Sequence, residues 1–202
     1  MRAAVFMAIT LTVTVIGGCA HGGGPIERLD EHGVTNTRDT APLVFARTES
    51  RYSRSARDYL YLGPVETNRQ GIRDYYLWVG IATTLDRGFI APTMEIPHML
   101  YLNVHGEPME LALRSWSEVV GDGELEPLYE TAVDTGAALA ARVTLQQLEL
   151  LAAEPLAEVA IATAAGDTRD YVRWENRQDW LDFIAALAGR GGAPATSRAV
   201  SR

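Results

Sequence analysis

Chemistry has few places to reside in this chain. Of its 202 residues one is a cysteine, Cys19, four are histidines, and all 18 basic residues are arginine. A lone thiol can serve as a nucleophile, but it can form neither an intrachain disulfide nor a cysteine-rich zinc site. His98 and His105, with Glu95, Glu107 and Glu110 nearby, are metal-ligating types. Seven positions along an extended strand, at about 3.3 Å each, set the two rings about 23 Å apart on opposite faces, so they can share a metal only if the chain bends sharply between them. Asp134, in Ala132-Val133-Asp134-Thr135-Gly136-Ala137, is a carboxylate on a triplet suited to a hairpin turn, Asp bonding backbone and Gly taking positive φ. Two such carboxylates brought together share one proton and activate water. There is no Gly-x-Ser-x-Gly and no Gly-x-Gly-x-x-Gly, and a chain without lysine has no phosphate-cradling Gly-Lys pair. No catalytic, cofactor-binding or metal-ligating residue is therefore assigned, and no cofactor is expected.

Charge is unevenly spread. Arg47, Arg51, Arg54 and Arg57 share their segment with Glu49 alone, whereas Glu107 to Asp134 holds Arg114 among eight acidic residues. The first group suits an anionic partner such as a phospholipid headgroup or a cell-wall carboxylate, and the second suits a basic patch or Ca²⁺. Both patterns also describe solvated loops and edge strands that discourage aggregation. A net charge of −8 repels phosphate and argues against nucleic acid as a partner.

The most specific signal is N-terminal. Arg2 precedes an uncharged run from Ala3 to Ile16, the length of a signal-peptide core and too short to span a bilayer. Val15-Ile16-Gly17-Gly18-Cys19 follows, and this stretch resembles the lipobox of bacterial lipoproteins. The resemblance implies that the Cys19 thiol takes a diacylglycerol thioether and that residues 1–18 are removed as a signal peptide. It also implies a membrane partner through the N-terminal lipid and a domain outside the cytoplasm. Two or three acyl chains hold a protein on a membrane durably where one does not. Ala20 rather than Asp follows the cysteine, a pattern that in Gram-negative lipoproteins implies sorting to the outer membrane with the domain facing the periplasm. The expected role is a non-catalytic binding or envelope-assembly module, with another envelope protein as a candidate partner. A second resemblance points to an enzyme. Asp134-Thr135-Gly136 is similar to the active-site triplet of aspartic proteases, and one copy implies a homodimer of the retropepsin type using Asp134. Thr131 stands where that family has an apolar residue, and no apolar-apolar-Gly element lies suitably downstream.

The elements that would position these residues read as mainly β, with some helix (α+β). Residues 19–40, polar and rich in glycine up to Pro25, read as a flexible tether with a reach of about 25 Å. A single β-rich domain is expected over 41–188, and 189–202 reads as a disordered tail. Pro42 to Thr48 suggests a strand. Asp58 to Thr67 and Ile72 to Thr84 form a hairpin around Asn68–Gly71, and Tyr75–Ile81, apolar on both alternating faces, suits a strand covered on both sides. Met99–Val104 and Met109–Leu113 form a second hairpin, Leu128–Val133 and Ala137–Val143 a third around Asp134–Gly136. Thr144-Leu145-Gln146-Gln147 is a capping box opening a short helix that Pro155 ends. Ala157–Thr163 and Tyr171–Glu175 read as strands joined across Gly166-Asp167, and Asn176 as the N-cap of a helix whose Trp180, Phe183, Ile184 and Leu187 form a buried stripe. Without β-α-β alternation, the sum is an antiparallel β-sandwich with a short helix and a packed C-terminal helix.

Overall fold

The computed structural model describes residues 24–29, 33–49, 54–85, 96–120, 128–153, 155–175 and 180–191. Cys19, Glu95, Arg51 and the expected N-cap Asn176 lie outside them. The fold is mainly antiparallel β. Its strands are β1 (Ile26–Leu29), β2 (Val34–Arg38), β3 (Leu43–Thr48), β4 (Arg57–Arg69), β5 (Ile72–Thr83), β6 (Pro97–Val104), β7 (Glu107–Ala112), β8 (Arg114–Ser115), β9 (Thr135–Val143), β10 (Glu158–Thr163) and β11 (Thr168–Arg173). Its helices are α1 (Trp116–Val120), α2 (Leu145–Ala153) and α3 (Trp180–Gly191).

Among the described residues all eleven strands belong to one sheet, in the order β7-β6-β10-β11-β3-β4-β5-β9-β8, with β2 beside β4 and β1 beside β2. Its two ends, β7 and β8, are separated in the chain by Leu113 alone, whose amide donates to the His98 carbonyl at 2.8 Å. The hydrogen-bonded path therefore closes on itself, and the layered core expected between facing strands is enclosed by a single curled sheet. Strand β4 is the hub. One edge pairs along its whole length with β5, while the other is shared by β3 at Arg57–Leu62 and β2 at Val65–Arg69.

Alternation along the strands separates two apolar sets. The inner one takes Leu60 and Leu62 of β4, Leu77, Val79 and Ile81 of β5, Phe45, Leu139 and Ile161, and α2 and α3 complete it through Leu148, Leu151, Trp180, Phe183, Ile184 and Leu187. Each of these side chains is buried, so the interior is packed with protein. The stripe expected on the C-terminal helix thus reaches the core it requires. The capping box is formed as well: Gln147 N–H donates to the Thr144 hydroxyl at 3.1 Å and Thr144 N–H to the Gln147 side chain at 2.8 Å.

Four expectations are corrected. The sheet begins at Ile26, inside the stretch read as a tether, because β2 is fixed by backbone pairing with β4 and buries Asn36 and Thr37 rather than a hydrophobic set that periodicity could reveal. Helix α3 continues to Gly191, past the expected start of the tail at 189. The third hairpin is absent, since residues 128–134 form no strand and β9 pairs with β5 and β8 instead. The two remaining hairpin turns are tighter than expected: Gln70-Gly71 and His105-Gly106 each take positive φ at both positions, the two-residue connection matched to strand twist.

Candidate functional site

The outer face of β4, β5 and β9 carries the second apolar set: Tyr61, Val65, Tyr76, Trp78, Ala82 and Ala140, covered by Leu128 and Tyr129. The strap formed by residues 128–134 crosses this face because the sheet is thin beneath it. Gly63 lacks a side chain there, and Tyr129 fills the resulting hollow, fully buried, while the space over Gly80 is taken by Trp78 and Thr135. Its ring packs on Trp78 with centroids 5.2 Å apart, the Arg38 guanidinium sits 5.0 Å from the ring centre, and its hydroxyl donates to the Pro64 carbonyl at 2.7 Å. Burial, and secondarily the Asp39 carboxylate, hold the Tyr129 phenol well above its ordinary value. Burial likewise raises Tyr61 and Tyr76 on this face.

The strap, α1 and the start of β9 enclose an open groove of about 650 Å³, lined by Trp78 and Trp116 with Glu130, Asp134 and Thr135 at its polar edge. Asp134 is exposed here, at the junction of the strap with β9. The structure thus brings Asp134 together with Glu130 and Trp116, a neighbourhood of aromatic surface and carboxylates that suits an amphipathic ligand with hydroxyl or cationic groups. The aromatic partners come from β5 and α1, far from Asp134 in sequence, and α1 has no capping or periodic signal long enough to announce it.

A second depression, of about 600 Å³, lies at the rim near the start of β4, lined by Arg47, Arg57, Arg173, Asp170, Val172 and Trp174 among others. Arg47 pairs with Glu49 at 2.7 Å, and Arg57 donates to the Thr48 hydroxyl at 2.9 Å while lying 4.9 Å from the centre of the Trp174 ring. Arg173 lies over Phe45, and burial lowers its guanidinium from the ordinary value. Two of the arginines singled out in sequence, Arg47 and Arg57, therefore meet a third from β11, and Arg54 stands exposed in the preceding turn. Inside the sheet, buried Glu66 lies 4.0 Å from Arg73 beside Tyr75, whose phenol is raised by burial and then by the Glu66 charge.

His98 is exposed on β6 and His105 occupies the turn after it. Among the described residues no group of three or more His, Cys, Asp or Glu side chains is placed to hold a metal ion. No described helix is long and apolar enough to cross a membrane. No family model, no curated protein and no solved structure matches this chain.

Proposed function

We propose that this chain is a lipoprotein anchored through Cys19, whose β-rich domain acts outside the cytoplasm as a non-catalytic module that binds a ligand or another envelope protein. The reading is carried by Val15-Ile16-Gly17-Gly18-Cys19 after an uncharged run. The position of the first strand gives it physical content. Ile26 stands seven residues beyond Cys19, and seven residues span at most about 25 Å, so the sheet would be held close to the lipid surface. The packed interior supports surface recognition over carriage of a ligand inside the sheet, and the groove beside Trp116 supplies a concave aromatic surface for it. A net charge of −8 supports a partner other than nucleic acid.

Cys19→Ser tests the anchoring. The wild-type chain should be recovered from membranes shortened by residues 1–18 and carrying acyl mass, and the variant should accumulate as an unmodified precursor. A variant that is still processed and membrane-bound would overturn the assignment.

A further inference from the structure

The register of the sheet shows where the chain emerges toward Cys19. Strand β1 pairs with β2, which pairs with β4; β11 pairs with β3, which pairs with the other half of the same edge of β4. Strands β1 and β11 therefore occupy one lane, two strands from β4. In that lane Ile26 lies beside Arg38, which pairs with Val65. The Trp174 amide donates to the Val44 carbonyl, and Val44 pairs with Tyr61. Four positions of β4 separate these levels, about 13 Å at strand rise. Strand β1 runs in the direction of β4, so the chain preceding Ile26 leaves toward Trp174. Seven residues, at most about 25 Å when extended, are long enough to span that distance back to Cys19.

The outer side of this lane has the composition of a membrane interface. Val172 and Trp174 are 57% and 52% exposed, and Ile26 is 38% exposed. Pairing parity places Arg28, Arg38 and Arg57 on the same side, with two carboxylates among them, Asp170 on β11 and the exposed Glu175 that follows Trp174 and acts on Tyr61 of the same face. Trp174 packs edge-on against Tyr59 at 6.3 Å and under Arg57, which holds the indole upright on the sheet. Indole rings with arginine beside them settle at the headgroup level, where the apolar ring and the charge are both satisfied. On a chain of net charge −8, a side with three arginines against two carboxylates is the part an anionic surface attracts.

We propose that this side of the β1 and β11 lane, with Val172, Trp174 and Ile26 among Arg28, Arg38 and Arg57, lies on the anionic lipid surface to which Cys19 anchors the chain. The proposal rests on the lipoprotein reading, because the anchor turns docking into an intramolecular step at high effective concentration. It also fixes orientation: the groove beside Trp116 lies away from the lane, across β4 and β5, and stays open to a partner.

The full chain is purified, its mass read for acylation, and the protein reconstituted into phosphatidylcholine vesicles with or without phosphatidylglycerol, using lipids with brominated acyl chains that quench nearby tryptophan. Trp78 and Trp180 are buried and Trp116 lines the groove away from the lane, so the difference between the wild-type chain and Trp174→Phe isolates the signal of Trp174. Quenching is expected in the anionic vesicles, lost in Trp174→Phe and weakened by salt. Arg57→Ser should lower the docked-to-undocked ratio about fivefold, one arginine's contribution at such a surface. Acylated protein whose Trp174 is no better quenched in anionic than in neutral vesicles, and equally open to aqueous iodide in both, overturns the docking side while leaving the anchor intact. If the mass shows no acyl group, the anchoring reading fails. In that case saturating anionic vesicles added to the protein decide the docking side: Trp174-dependent quenching upholds it, and its absence overturns it.

Discussion

Gly63→Ala should lift the strap off the sheet. The φ of Gly63 does not require glycine, so the cost is one of space: a Cβ would be driven against the Tyr129 ring and come within 2.8 Å of its hydroxyl oxygen. The ring has nowhere to retreat, with Trp78 on one side, Arg38 near its face and the Pro64 carbonyl bonded to its hydroxyl. Expelling it forfeits the burial of a large aromatic side chain, about 1.5–3 kcal/mol. It also breaks a buried hydrogen bond, about 1 kcal/mol, and a cation–π contact of about 0.5–1 kcal/mol. The expected loss is about 3–5 kcal/mol, similar to that of Tyr129→Ala. Urea unfolding followed by circular dichroism measures it, and the double variant supplies the control. With the ring gone, Gly63→Ala meets no obstacle and should be close to neutral, because restricting the unfolded chain offsets any residual strain. The two substitutions should therefore be strongly non-additive. A loss below about 1 kcal/mol for Gly63→Ala, or additive losses in the double variant, would refute the close fit of strap to hollow.

Three further outcomes follow from the geometry. Thr144→Ala removes one half of the capping box and should cost about 1 kcal/mol in the same unfolding assay, while Thr144→Ser should restore most of it. Stability should fall as pH rises above about 10: the raised Tyr129 phenol stays neutral in the folded chain while its unfolded counterpart ionises, so the contribution is complete below the unfolded value of 10.0 and is lost as pH climbs toward the folded one. Tyr129→Phe should flatten that fall, as seen in unfolding midpoints across alkaline pH and in tyrosinate absorbance. Asp134→Ala, at an exposed site, should change stability by less than about 0.5 kcal/mol. It should also abolish no activity. An acid-optimum peptide cleavage lost in this variant alone would favour the homodimeric protease.

How much of this could be read in advance depended on where each element found its partners. Hairpins β4–β5 and β6–β7 were legible because their instructions are local, aromatic and β-branched runs bounding Asn68–Gly71 and His105–Pro108, within which the turns proper close on Gln70-Gly71 and His105-Gly106. Helix α2 was legible from Thr144 and Gln147, which satisfy each other's backbone groups within one turn, and α3 from the spacing of Trp180, Phe183, Ile184 and Leu187. The strap was misread as a strand because Leu128 and Tyr129 look like the start of a β run; what holds Tyr129 is a hollow over Gly63, more than sixty residues away. Strand β2 was hidden for the complementary reason. Its Val34-Thr35-Asn36-Thr37-Arg38 shows no hydrophobic alternation, and only the free half of one edge of β4 makes it a strand.

The site divides along the same line. Cys19, Asp134, Arg47 and Arg57 were visible as residue types, but their company was not. Trp116 and Trp78 meet Asp134 across the groove, and Trp174 meets Arg57 across three strands, through pairings that no short-range pattern encodes. By itself, then, the amino-acid sequence determined the β-rich class, the places of the two hairpins and the apolar stripe of the last helix, each written in neighbouring residues. Closure of the sheet through Leu113, the burial of Tyr129 over Gly63, and the alignment of β1 with β11 were decided by tertiary structure, because backbone pairing and steric fit join residues that are distant in the chain.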